Sequence, residues 1–239
     1  MKILITGSMG FIGRHLCESL SDGLHDVCIV VRDQVPENLI NTGFSVICGD
    51  LLDDNVREKI KSFGPETVYH LAWNGIPDYG LKISVDNLKL HVDLLTFFGE
   101  IHVSRVIATG SCWEYGRTSG ELKEDMALEP NNAFTSAKSS VLSMGQVIGK
   151  QFDFSFIWAR LFYVYGPGQS AHSLLPSLIN MGLADEMPKA RSPWARNDFI
   201  YVKDVAHVLK SMNDESFESG VYNVGSGYAT LVNNIERVI

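Results

Sequence analysis

The sequence predicts an α/β fold, a doubly wound parallel sheet with helices on both faces. Three observations carry this expectation. Short runs rich in Val, Ile and Leu alternate with amphipathic stretches over the first two thirds of the chain. The runs are apolar almost throughout, as strands buried on both faces are, rather than alternating with polar residues. A glycine-rich turn joins the first run to the first amphipathic stretch, and the right-handed crossover rule then winds the sheet in both directions.

Residues 2–6 (Lys-Ile-Leu-Ile-Thr) form the first expected strand, residues 10–20 the first helix, and the apolar run 26–31 the second strand. Further strands are expected at 44–48, 67–70, 103–109 and 154–159, where β-branched and aromatic residues cluster. Helices are expected between them, at 55–63, 84–102 and 132–151. In the last of these Val141, Leu142, Met144, Val147 and Ile148 recur at helical spacing. After residue 160 the pattern changes. Tyr165, Gly166, Pro167 and Gly168 make a turn cluster, followed by a helix at 174–183 and a loop containing Pro188, Pro193 and Trp194. A short strand at 199–202, a last helical pair and a strand at 221–224 complete the pattern. The expected organisation is a sheet domain over 1–165 and a partial, intertwined lobe over 166–239.

Composition narrows the function. With 239 residues and 45% hydrophobic content the chain can bury a full core. Its net charge of −8, with no basic block, argues against nucleic acid or an anionic membrane as partner. Cys17, Cys28, Cys48 and Cys112 lack metal-ligand or CxxC spacing, so reduced, mostly buried thiols are expected, and no metal. No apolar run approaches the roughly 20 residues that span a bilayer. A cytoplasmic setting is expected.

Gly7, Gly10 and Gly13 lie in Thr6-Gly-Ser-Met-Gly-Phe-Ile-Gly13, between a strand and a helix that opens with Phe11 and Ile12. Glycines there allow a tight turn and let backbone N–H groups reach a pyrophosphate, while the helix N-terminus adds partial positive charge. The end of the second strand should select the dinucleotide. Arg32, with Arg14 as a possible helper, favours the 2′-phosphate of NADP(H), whereas Asp33 keeps NAD(H) open. Asp50 could reach an adenine amino group or cap the following helix.

Together these residues resemble the extended short-chain dehydrogenase/reductase family of nucleotide-sugar epimerases, dehydratases and reductases. The likeness covers essentially the whole chain. It includes Gly49-Asp50-Leu51, His70-Leu71-Ala72, Asn87, Ser111 to Gly116, Lys138, Arg160-Leu161-Phe162 and Val164 to Gln169. It continues with Asp198 to Val202 and Tyr222 to Gly227. The resemblance implies a Rossmann-type domain holding NAD(P), with Leu51, Leu71 and Ala72 among the contacts, and a smaller lobe holding a nucleoside-diphosphate sugar. It also implies hydride transfer at a sugar carbon. A Tyr acts as general acid/base, a Lys lowers its pKa and binds the nicotinamide ribose, and a Ser or Thr holds the reacting oxygen. By motif match Ser111 is the hydroxyl and Lys138 the cation.

Three departures follow from the comparison of motifs. Phe134 stands where the Tyr should be, with its shape but without its exchangeable proton; Tyr115, Tyr163, Cys112 and His172 are the nearby candidates to replace it. Cys112 and Trp113 occupy the positions where dehydratases of the family carry acids, and Glu114 falls one place late, so a reductase or epimerase is expected. Tyr163 replaces a common Asn near the sugar nucleotide. Substrate contacts are expected from Ser111, Cys112, Trp113, Tyr163 and Arg196, the last through a planar guanidinium suited to diphosphate oxygens or to a surface salt bridge. The leading expectation is an NADPH-dependent reductase of a nucleotide-linked 4-keto-6-deoxy sugar. The alternatives are a 4-epimerase and a catalytically silent binding homologue. Helices 84–102 and 132–151 are expected to pair with their copies in a homodimer.

Overall fold

The computed structural model describes residues 1–33, 43–117 and 119–239. Its main sheet has seven parallel strands, and the expected doubly wound architecture is present. The strands are β1 (Lys2–Thr6), β2 (Asp26–Val31), β3 (Ser45–Cys48), β4 (Thr67–His70), β5 (Arg105–Ser111), β6 (Ser155–Leu161) and β9 (Gly220–Val224), in the order β3-β2-β1-β4-β5-β6-β9. The order reverses between β1 and β4, which pair in parallel from Ile3 opposite Thr67 to Thr6 opposite His70. A crevice opens outside the carboxyl ends of two such strands, because the chain leaves them toward opposite faces.

The strand period puts alternate residues on opposite faces. Ile3, Ile5, Val27 and Ile29 pack with Leu16, Cys17, Val205 and Leu209, under α1 (Phe11–Ser19) and α6 (Val202–Ser211). Leu4, Cys28, Val30 and Val68 face the other way, against α2 (Asp54–Phe63), α3 (Leu81–Glu100) and α4 (Ala133–Phe152). Each such aliphatic side chain taken fully from water contributes about 1.5–3 kcal/mol. Local signals end the helices. Gly64 takes the left-handed conformation after α2, and Asn132 caps α4 by accepting from Thr135 N at 2.9 Å.

A second sheet joins β7 (Tyr163–Tyr165), β8 (Arg196–Tyr201) and β10 (Ala229–Leu231), with α5 (Leu174–Leu183) and α7 (Val232–Glu236) alongside. β7 and β10 are strands that the sequence pattern did not signal. The expected last helical pair is one helix, α6, before β9 and a short one, α7, after β10. Segment 202–224 returns to the main sheet: α6 packs on α1, and β9 extends the edge beside β6, with Arg160 opposite Asn223. Among the described cysteines Cys17, Cys28 and Cys112 are buried, Cys48 is exposed, and all four are free thiols.

Candidate active site

The crevice at the β1–β4 switch point is a cavity of about 590 Å³ lined by Gly7, Met9, Gly10, Val30 to Asp33, Gly49 to Leu52 and Leu71 to Gly75. Gly7 has φ +73°, and a Cβ there would lie 2.5 Å from Ala72 N; at Gly13 a Cβ would lie 2.1 Å from Gly7 O. Only glycine lets the turn fold this closely onto β4 and onto its own helix. Gly10 caps α1 without a side-chain hydrogen bond, and no acidic residue occupies the first turn. The N–H groups of Phe11 and Ile12 therefore have no intrahelical partner and meet an anion at the positive end of the helix. A dinucleotide pyrophosphate fits this cradle.

At the far end of the cavity Arg32 donates to Asn74 Oδ1 with Asp33 beside it. Arg14 does not join them: it donates to Gly168 O at 3.2 Å, tying α1 to the turn after β7. Asp50 lines the cavity while its carboxylate accepts from Leu52 N at 2.9 Å. The cap of α2 is Asp53 rather than Asp50.

A second cavity of about 860 Å³ lies across the ends of β5 and β6, lined by Cys112, Trp113, Gly116, Phe162, Tyr163, Trp194, Arg196, Asp198 and Asn223 among others. Arg196 is exposed and makes no salt bridge among the described residues, so its guanidinium is available to an anion. Trp113 Nε1 donates to Tyr163 Oη at 3.3 Å. Asp198 accepts from Ser226 N, Ser226 Oγ and Gly227 N, which fixes the floor of this cavity.

Phe134 stands between the two cavities. Its ring meets Trp73 of the first at 5.5 Å and Trp113 of the second at 6.2 Å, with Tyr79 at 5.1 Å. One helical turn later, Lys138 Nζ donates to Thr109 O at 2.8 Å and lies 3.9 Å from the centre of the Trp73 ring. Residues i and i+4 share a helix face, so Phe134 and Lys138 both look toward the end of β5. Burial pushes the Lys138 amine down to about 7, opposed by the Glu114 carboxylate. Ser111 ends β5, and its Oγ accepts from Trp113 N at 3.2 Å. Lys138 is thus tied to Thr109, two residues before Ser111, and Phe134 meets Trp113, two residues after it.

Three expected substitutes for the missing phenol fit poorly. Tyr115 Oη accepts from Arg160 at 2.7 Å and donates to Asn223 at 2.8 Å, so its proton is committed inside the core. His172 is exposed, on the segment before α5, with its backbone N–H on Ser170 Oγ. Burial pushes the Cys112 thiol up to about 12, which keeps it neutral. Glu114 is buried entirely. It accepts from Ser111 N at 2.7 Å, Trp158 Nε1 at 3.1 Å and Arg160 Nε at 3.1 Å, so it positions the Ser111 turn and does not face the cavity.

Trp73, Tyr79, Asn74 and Leu90 escaped the sequence reading. Trp73 had a signal, an aromatic directly after His70-Leu71-Ala72. Tyr79 had none, since it arrives on the β4–α3 loop through tertiary folding. Deeper, His70 Nδ1 pairs with Thr6 Oγ1 at 2.7 Å, and His70 stacks 4.4 Å from His91, which lies 4.8 Å from Trp73. Burial holds both imidazoles well below their ordinary range, His70 at about 3. No group of His, Cys, Asp or Glu among the described residues could hold a metal ion, and no described helix is long and apolar enough to cross a membrane.

Comparison with known proteins gives the family and the fold. A family model described as the NAD dependent epimerase/dehydratase family matches residues 3–225. A dTDP-6-deoxy-L-talose 4-dehydrogenase (NAD(+)) from Aggregatibacter actinomycetemcomitans is 24% identical over 95% of this chain and 85% of its own. The structure of a UDP-N-acetylglucosamine 4-epimerase from Methanobrevibacter ruminantium, in complex with UDP-N-acetylmuramic acid, is similar with a TM-score of 0.87. It is 26% identical, covering 99% of this chain and 80% of its own. A tyrosine-to-phenylalanine mutant of UDP-glucuronic acid 4-epimerase from Bacillus cereus, in complex with UDP-4-deoxy-4-fluoro-glucuronic acid and NAD, is similar with a TM-score of 0.85. It is 26% identical over 100% of this chain and 83% of its own. Several other curated relatives are longer, and the chain spans 39–58% of them.

Proposed function

The chain belongs to the NAD dependent epimerase/dehydratase family, and from that premise we propose that it reduces the 4-keto group of a nucleotide-linked 6-deoxy sugar with NADPH. The observation that carries this reading is that Phe134 meets Trp73 of the first cavity and Trp113 of the second, whose Arg196 is available, with Lys138 one helical turn on. The relative named for a 6-deoxysugar 4-dehydrogenase supports chemistry at that carbon. A bound nicotinamide cofactor supplies the hydride. Gly7, Gly10 and the start of α1 would hold its pyrophosphate, Lys138 its ribose, and Arg32 the 2′-phosphate that would favour NADP over the NAD of the solved neighbours. Ser111 donates to the reacting oxygen, Arg196 holds the diphosphate, and Cys112, Trp113 and Tyr163 shape the sugar site. With Glu114 locked to Arg160, no carboxylate among these residues serves dehydration.

With Phe134 in place, general acid catalysis worth roughly 10²–10⁴-fold is lost from the usual position. Phe134→Tyr restores an acid at that position and is expected to raise NADPH oxidation with a panel of 4-keto nucleotide sugars by up to that factor. Arg32→Ala should weaken NADP binding far more than NAD binding; equal losses overturn the NADP assignment. A purified protein that retains NAD and interconverts C4 epimers without net NADPH consumption is a 4-epimerase instead. Cofactor binding without turnover in either form marks a silent homologue. The reading includes a cytosolic homodimer built through α3 and α4, whose exposed Val85, Met144 and Val147 are available for pairing. A monomeric mass by light scattering overturns the dimer.

A further inference from the structure

We propose that Tyr79, on the loop between β4 and α3, is the proton donor that acts where Phe134 cannot. The inference rests on the reductase reading above. Three aromatic rings touch Phe134, those of Trp73, Tyr79 and Trp113, and among them only Tyr79 carries an ionisable hydroxyl. Its ring lies 5.1 Å from Phe134 and 5.4 Å from Trp113, so it spans the gap between the helix that carries Lys138 and the turn that carries Ser111. The reductase reading puts the sugar carbonyl in this interval, with Ser111 holding its oxygen.

The loop is held at both ends. Asn74 N donates to Asn87 Oδ1 at 2.8 Å and its carbonyl accepts from Asn87 Nδ2 at 3.0 Å. Asp78 Oδ1 accepts from Gly80 N at 2.8 Å, and Asp78 N donates to Gly75 O at 2.7 Å. The phenol is thus presented by ordered backbone, yet Tyr79 remains 37% exposed, which gives it exchange with water after each turnover. Burial of part of the ring raises its pKa and keeps it protonated, the state a donor needs. The other proton carriers are less available. Lys138 is 5% exposed under Trp73 and donates to Thr109 O, while the Tyr163 ring packs on Phe199 at 5.7 Å and not on Phe134.

The step balances as follows. With a bound nicotinamide cofactor supplying hydride to the carbonyl carbon, the carbonyl π bond would break toward oxygen, and that oxygen would take the Tyr79 proton. Water then reprotonates the Tyr79 phenolate. The test compares Tyr79→Phe in the chain as it stands and in a Phe134→Tyr background, with dTDP- and UDP-4-keto-6-deoxyglucose. Tyr79→Phe keeps the ring contacts with Phe134 and Trp113. The expected result is a kcat loss of at least 10² with KM within about threefold, shrinking at least tenfold in the Phe134→Tyr background. A second readout needs no cofactor: calorimetric affinity for the same keto sugar nucleotides falls about fivefold in Tyr79→Phe. A kcat within threefold of the parent, an equal loss in both backgrounds, or activity only with Phe134→Tyr overturns the Tyr79 assignment alone. No turnover in any form, with cofactor and sugar nucleotide still bound, overturns the reductase reading and this inference with it.

Discussion

Replacing Glu114 by Gln gives a demanding test of how the Ser111 turn is built. Glu114 and Arg160 are 0% and 1% exposed, and the carboxylate serves three donors: the Ser111 amide, the Trp158 indole and the Arg160 guanidinium. Gln keeps the size and one acceptor oxygen, but its NH₂ group must face a donor, and Arg160 is left with an uncompensated buried charge. Breaking a buried pair on one side costs about 3–5 kcal/mol. An unfolding entropy near 2.1 cal/mol/K per residue gives about 0.5 kcal/mol/K for a chain of this length, so Tm should fall by about 6–10 °C. Urea denaturation checks the same quantity, with the midpoint shifted and the slope unchanged. Arg160→Met added to Glu114→Gln should cost less than the sum of the two single changes, because the stranded charge disappears with it. A loss below about 1 kcal/mol for Glu114→Gln, or strict additivity in the double variant, refutes the view that this pair supports the turn.

Three further outcomes are expected. The Lys138 amine titrates near 7 when folded and near 10.5 when unfolded, so from pH 7 to 9 the unfolded chain binds the extra proton and stability rises with pH; Lys138→Met removes about 2 kcal/mol of that rise, measured by denaturant titration at the two pH values. His70 and His91 are held neutral in the fold, so stability is present above pH 6.5 and is lost as pH falls toward 3; His91→Phe should flatten that loss by up to about 1.4 kcal/mol per pH unit in acid unfolding followed by circular dichroism. A Cβ at Gly13 meets only backbone, at 2.1 Å from Gly7 O and 2.8 Å from Ser8 Cα, whereas at Gly10 the nearest atom is 3.2 Å away. Gly13→Ala should therefore cost about 1–3 kcal/mol and weaken NADPH binding more than tenfold by fluorescence titration, with Gly10→Ala the milder of the two.

Much of the architecture was legible because its signals are local. β1, β2 and β4 fall on the expected residues since each is a short β-branched run bounded by turn formers. Helix ends moved by a few residues where capping decides them: α3 begins at Leu81 behind Gly80 rather than at residue 84. β7 and β10 were not legible, because three-residue strands have no periodicity of their own and exist through pairing with β8. At the site, the glycine turn could be read from its spacing, and Ser111, Phe134 and Lys138 from the resemblance of their motifs to the family. The environment of Phe134 could not, since Trp73, Tyr79 and Trp113 reach it from three separate segments. Nor could the fate of Glu114, Tyr115 and Arg14, which is set by Arg160 and Gly168, 45 or more residues away.

The placement of β9 has a consequence for how the protein is made. β6 leaves the ribosome with one edge paired to β5, and its other edge waits for a strand about 60 residues downstream. At synthesis rates of 5–20 residues per second that wait lasts roughly 3–12 s. Throughout it, the backbone of Ile157 to Leu161 offers unpaired donors and acceptors to any passing strand, the setting in which sheet edges recruit the wrong partner. A nascent-chain holder that covers β6 until Val224 emerges is therefore expected to raise the folded yield of this protein.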